Sequence, residues 1–151
     1  MRINLVIIVN LDIMYYIKLI MKNTIFQLLE CLYYFSLVIL FTLYLFPGSL
    51  IGYFFYGNLA QQPNLIPNPI GTSINHLIYF SYITVLATII RSSVKNILTN
   101  YRVILFFSFI LEILHFIIPN RVFEFYDLMA NIFGVVMILL LKKYIKWPNF
   151  F

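Results

Sequence analysis

Four long apolar runs, each closed by proline, glycine, a polar turn or a basic cluster, leave this chain few ways to fold. Residues 24–46, 75–90, 101–118 and 127–141 carry almost no charge. About 20 apolar residues are what a helix needs to cross the hydrocarbon core of a bilayer. All six prolines and four of the five glycines fall outside these runs, so nothing breaks a helix within them. In lipid every backbone polar group must be satisfied internally, which a helix does within its own segment. Hydrophobic residues make up 63% of the 151 and charged residues 10%, against roughly 25% charged in a soluble domain. The expectation is an all-α membrane protein with four transmembrane helices.

The basic residues orient it. Arg2, Lys18 and Lys22 precede the first run, Arg91, Lys95 and Arg102 lie around the second connection, and Lys142, Lys143 and Lys146 follow the fourth. Nine of the ten basic residues thus fall on one side, which places both termini in the cytoplasm. The connections 47–74 and 119–126 then face outward. The formal charge of +5 is accounted for by this asymmetry, and no nucleic-acid partner is expected. The single cysteine, Cys31, cannot close an internal disulfide.

Residues 1–23 stand apart from the domain 24–146 and the tail 147–151. They are apolar, but Asn10 and Asp12 interrupt them, and an Asp at the centre of a span costs about 2.5–3.5 kcal/mol. An interfacial helix or an upstream extension ending near Met21-Lys22-Asn23 is the expectation. In the connection 47–74, Gly52-Tyr-Phe-Phe-Tyr-Gly57 suits the headgroup region or a shallow re-entrant turn, and 61–71 is an uncharged Pro/Asn-rich connector or lid.

Against this background the polar residues near the outer ends converge. His76 opens the second helix. Ser108, Glu112 and His115 share one face of the third, with Glu112 about 9 Å below its outer end. Asp127, Asn131 and Gly134 repeat the spacing at the start of the fourth, and Arg121 sits in the turn between. Charge in hydrocarbon is expensive, so such a cluster marks a candidate site. Glu112 and His76 are the candidate acid/base residues with Asp127 orienting them, and Arg121, His115 and Asn131 the candidate ligand-binding residues. Arg121 offers a planar fork suited to phosphate or carboxylate. The alternative is a structural pair, Glu112–Arg121 or Glu112–His76, with Asp127 capping its own helix. Two histidines and one cysteine are too few for a familiar zinc site, and the Glu112-x-x-His115 half of a di-iron motif has no second copy. No metal or cofactor is expected.

Asn75-His76-Leu-Ile-Tyr-Phe-Ser-Tyr82, Leu111-Glu112-Ile-Leu-His115-Phe-Ile-Ile-Pro119-Asn-Arg121 and Asp127-Leu-Met-Ala-Asn131-Ile-Phe-Gly134 together resemble the VanZ-like family. The resemblance covers roughly residues 24–141. It departs from the family pattern at Ser73, Asn75, His115, Asn120 and Ile138, where an acid, Lys, Gln, Gly and Gly are usual. It implies a bacterial inner-membrane protein with a cell-envelope role and a link to teicoplanin tolerance, and the outer polar cluster adds a lipid or lipid-linked cell-wall intermediate as the expected partner. Binding of such an amphiphile in an outer-leaflet pocket is the leading expectation; an enzyme acting on its headgroup, or a helper subunit without catalysis, are the alternatives.

Overall fold

The computed structural model describes residues 2–61, 71–91 and 96–144. Most of the Pro/Asn-rich segment expected as a connector or lid, together with Lys95 and Lys146, lies outside the described residues. The fold is all-α, with helices α1 (Arg2–Leu45), α2 (Leu50–Tyr56), α3 (Gly71–Ile90), α4 (Tyr101–Leu114) and α5 (Phe125–Tyr144), and a single 3₁₀ turn at Ile97–Thr99 before α4. Among the described residues, three segments are long and apolar enough to cross a membrane: Tyr15–Leu45, Ser73–Ile90 and Phe125–Tyr144.

The third expected span differs. Its α-helix stops at Leu114 after 14 residues, about 21 Å of rise. Beyond it the amides of His115, Phe116 and Ile117 reach back only three residues, to the carbonyls of Glu112, Ile113 and Leu114. This tightening brings the chain to Pro119, before which the helical conformation is disfavoured. Asn120 follows at φ 58°, the left-handed region that Asn tolerates better than most side chains.

The backbone of α1 runs without a break through Met21–Asn23, and its 44 residues span about 66 Å. Along α1 a stripe of Tyr33, Leu37, Leu40 and Tyr44 is buried, while Leu28, Leu32, Phe35 and Val38 on another face are exposed. The stripe meets Phe80, Ile83, Ala87 and Ile90 of α3, with Ile104 and Leu111 of α4 and Val135 of α5 completing the core. Polar clips hold the helices in register. The Tyr79 hydroxyl donates to the Ser36 carbonyl at 2.9 Å, and Tyr33 donates to the Leu98 carbonyl at 2.6 Å.

α3 and α5 approach closely at Gly134. A Cβ there would lie 2.7 Å from the Leu77 carbonyl oxygen and 3.1 Å from the Ser81 amide nitrogen. Only glycine lets the two backbones pack so tightly, a common device where hydrophobic driving force between helices is weak. The Ser81 hydroxyl donates to the Gly134 carbonyl at 3.3 Å across this contact.

Contacts at the two ends show an alternating bundle. Tyr44 near the end of α1, His76 near the start of α3, Glu112 near the end of α4 and Asp127 near the start of α5 meet at one pole. Tyr33, Tyr34 and the 96–99 segment meet at the other. Successive long helices therefore run in opposite directions.

Between α1 and α3 lies α2, capped by the Ser49 hydroxyl, which accepts from the Gly52 amide at 2.9 Å, and closed by Gly57 at φ 65°. Tyr53, Phe54, Phe55 and Tyr56 are all exposed. Such an aromatic surface suits the headgroup layer better than open water. The segment expected at the headgroups thus takes the form of a short helix.

A buried polar network beneath a small cavity

Tyr44, in the last turn of α1, is the hub of the converging pole. Its oxygen lies 2.6 Å from His76 Nδ1, and its hydroxyl donates to Asn131 Oδ1 at 2.8 Å. Because the tyrosine proton is committed to Asn131, the oxygen is left to accept from His76 Nδ1–H. His76 Nε2 then faces Asp127 Oδ2 at 3.4 Å. The other Asp127 oxygen accepts from the Ser73 hydroxyl at 2.6 Å. Asp127 lies in the first turn of α5 and is spent on these contacts, so capping its own helix is not its side-chain role.

Glu112 anchors the other half of the network and is fully buried. Its Oε1 accepts from His115 Nδ1 at 3.1 Å and from the Glu124 amide at 3.3 Å. Its Oε2 accepts from Asn131 Nδ2 at 3.5 Å, with His76 Nδ1 at 3.8 Å. Several donors around one carboxylate are what a buried charge needs to avoid an uncompensated desolvation cost. Asn131 is the joint, receiving from Tyr44 with its oxygen and giving to Glu112 with its nitrogen.

The His115 ring stacks on Tyr44, centroids 5.4 Å apart and planes 18° from parallel. Its Nδ1 is used by Glu112, whereas Nε2 is buried without a hydrogen-bond partner among the described residues.

Arg121 reaches this pole from the turn after α4. Its Nε donates to the Phe46 carbonyl at 3.2 Å and its Nη2 to the Leu43 carbonyl. Those carbonyls belong to the end of α1, where the last turn lacks intrahelical donors and carries partial negative charge. Arg121 is therefore a cap for α1, and among the described residues it forms no ion pair with Glu112. Burial draws its pKa below the ordinary arginine value, with Tyr44 and Glu112 opposing. The ordinary value is high enough that the guanidinium stays charged.

A cavity of about 140 Å³ opens beside the network. Leu40, Leu43, Leu50, Ile51 and Tyr79 give it apolar walls, while His76, His115, Arg121, Tyr44 and Ser49 supply polar groups. The space is less than the roughly 300–1,000 Å³ that encloses a drug-sized ligand.

The structure thus brings together His76, Glu112, His115, Asp127 and Asn131 in one network, and places Arg121 at the cavity wall rather than against the carboxylates. Tyr44 and Ser73 complete the network without having stood out as site residues in the sequence. Tyr44 is one of twelve tyrosines, most simply read as interfacial belt or lipid-facing filler. Its position in the last turn before Pro47, level with His76, was the available signal. Among the described residues no three His, Cys, Asp or Glu side chains are grouped so as to hold a metal ion.

Comparison with protein-family models, with characterised proteins and with solved structures finds no match to this chain.

Proposed function

We propose that this multi-pass membrane protein binds the anionic headgroup of an amphiphile in the cavity at the outer pole of its bundle. The observation that carries this reading is the lining itself. A guanidinium and two imidazoles share one small space with leucine and isoleucine walls. The headgroup would sit against Arg121, whose Nη1 is used by none of its bonds to α1, and the tail would follow Leu40, Leu43 and Leu50 into the lipid. In this proposal α1, α3, α4 and α5 all cross the membrane, both termini are cytoplasmic, and α2 rests in the outer headgroup layer.

The VanZ-like resemblance is kept as part of the proposal, with a bacterial inner-membrane location and an envelope role. Two structural details support it. Asn120 stands where the family pattern has Gly, and it adopts the left-handed conformation for which Asn is a fair substitute. Gly134 makes the close helix contact that explains a glycine in the final motif.

The test is lipid retention by the purified full chain. Native mass spectrometry should show retained phosphatidylglycerol in preference to diacylglycerol, and Arg121→Met should reduce that preference about tenfold or more. Arg102→Met, at the opposite pole, should leave it unchanged. Equal retention of both lipids by the wild type would sink the proposal.

An enzyme acting on such a headgroup is the second reading, favoured by the two carboxylate–imidazole pairs, Asp127–His76 and Glu112–His115. Glu112→Gln separates the two. A binder keeps its lipid preference and shows no turnover in either form, whereas an enzyme releases a headgroup product that the variant does not. In a Gram-positive host, protection against teicoplanin but not vancomycin would extend the proposal to a lipid-tailed ligand.

A further inference from the structure

His76 lies between two carboxylates, and its contacts do not fit a neutral ring beside an ionised acid. The Tyr44 hydroxyl spends its proton on Asn131 Oδ1, so the 2.6 Å contact with His76 Nδ1 needs a proton on that nitrogen. A neutral imidazole carries one N–H, which leaves Nε2 as a bare lone pair. Yet Nε2 faces Asp127 Oδ2 at 3.4 Å, and the ring is only 15% exposed. A lone pair held against a carboxylate oxygen is repulsive, the more so where little water screens it.

One further proton removes the conflict. Carried on Nε2 or on Oδ2, it turns the contact into an attraction. Either way the His76–Asp127 pair is neutral with that proton and bears a full negative charge without it. The Ser73 hydroxyl donates to the other Asp127 oxygen at 2.6 Å, which spreads that charge but does not cancel it. Glu112 Oε2, 3.8 Å from His76 Nδ1, is a second negative neighbour on the far edge of the ring.

The pair also borders the cavity, because His76 lines it together with Arg121. The titratable or charged groups around the ring are Tyr44 from α1, Glu112 and His115 from α4, Arg121 from the next turn and Asp127 from α5. An anion held by Arg121 therefore feels whether the pair is neutral or negative, through space and without touching His76.

We infer that the cavity takes up its anion together with a proton, held between His76 and Asp127. This rests on the headgroup-binding reading and adds its regulation. Proton and anion each strengthen the other's binding by the same factor.

The experiment measures phosphatidylglycerol binding by the purified full chain at about pH 7 and about pH 9, where the phosphodiester and Arg121 both keep their charges. Wild-type affinity should fall about tenfold across this range, the scale of one charge–charge interaction in a partly shielded site. Asp127→Asn has no charge to neutralise, so its affinity should be the same at both pH values and above the wild type's at the higher one. Ser73→Ala leaves the carboxylate charge more concentrated and should move the fall to higher pH; it serves as the readout if Asp127→Asn does not fold. A wild-type affinity that does not change with pH overturns the inference alone, since headgroup binding survives. So does a fall that persists in Asp127→Asn, weaker binding by that variant at both pH values, or a Ser73→Ala profile superimposed on the wild type's. Binding no tighter than that of diacylglycerol at either pH overturns the headgroup-binding reading and this inference together.

Discussion

Tyr44 has one hydroxyl and two clients, and removing that hydroxyl takes the donor from the buried one, Asn131. Tyr44→Phe would keep the stack on His115 but remove the donor of the buried Asn131 Oδ1, while the partly exposed His76 Nδ1 keeps Glu112 Oε2 at 3.8 Å. A buried unpaired group costs about 1–3 kcal/mol, so the variant should lose at least about 1 kcal/mol in detergent unfolding. A loss below about 0.5 kcal/mol would mean the network is not coupled through this oxygen. Glu124 gives a different prediction at the same scale. Burial, and then the negative charges of Asp127 and Glu112, raise its carboxyl pKa, with His115 opposing. A raised folded-state pKa means the folded chain holds the proton longer. The stabilising effect is full below the ordinary carboxylate range and disappears as pH rises through the raised value. Glu124→Gln removes the charge and should raise thermal stability at about pH 7.5, with the gain vanishing near pH 4. Because Glu124 is largely exposed, the gain should be small, and a loss of stability at the higher pH would show that its charge has a favourable partner instead.

At the scale of the element, Gly134 and Arg121 each join two helices. Alanine at 134 would gain about 1 kcal/mol in helix propensity. Its Cβ, however, would press on the Leu77 carbonyl oxygen and the Ser81 amide, backbone atoms that cannot turn aside. Overpacking of this kind costs about 1–3 kcal/mol, so Gly134→Ala should lower the melting temperature despite its better propensity. An unchanged or higher melting temperature would mean that α3 and α5 can slide apart freely. The sequence made the faces of these helices readable, because polar residues in apolar runs stand out at helical spacing. His76, Glu112, His115, Asp127 and Asn131 fell together for that reason. What pattern could not supply was partner choice. Arg121 was near the carboxylates in sequence, yet the unsatisfied end of α1, far away along the chain, takes its donors. Helix ends were equally hard to read. α3 begins at Gly71 rather than at Asn75, and α4 tightens after Leu114 although Phe116, Ile117 and Ile118 are as apolar as any helical residue.

For the molecule as a whole, the decisive question is whether the short α4 takes the chain across the bilayer. Alone it provides about 21 Å of rise, less than the roughly 30 Å of hydrocarbon. It does not act alone: a 3₁₀ turn precedes it and a tightened turn follows. Its two ends also meet the opposite poles of the bundle, with Ile104 in the core near one end and Glu112 in the polar network near the other. A helix packed antiparallel between spanning neighbours can be shorter than they are, because the flanking turns are sheltered by protein rather than exposed to lipid. Three exposed positions decide the matter in a Cys31→Ser background, the native thiol being itself exposed. Val122 follows α4, Ile97 precedes it and Tyr144 ends α5, and all three are more than two-thirds exposed. In intact cells a membrane-impermeant maleimide should label Val122→Cys, while Ile97→Cys and Tyr144→Cys should react only after permeabilisation. If Ile97→Cys and Val122→Cys instead react together, α4 turns back within one leaflet. The second and fourth long helices would then enter from different sides, the termini would be separated by the membrane, and the basic residues would no longer share one face.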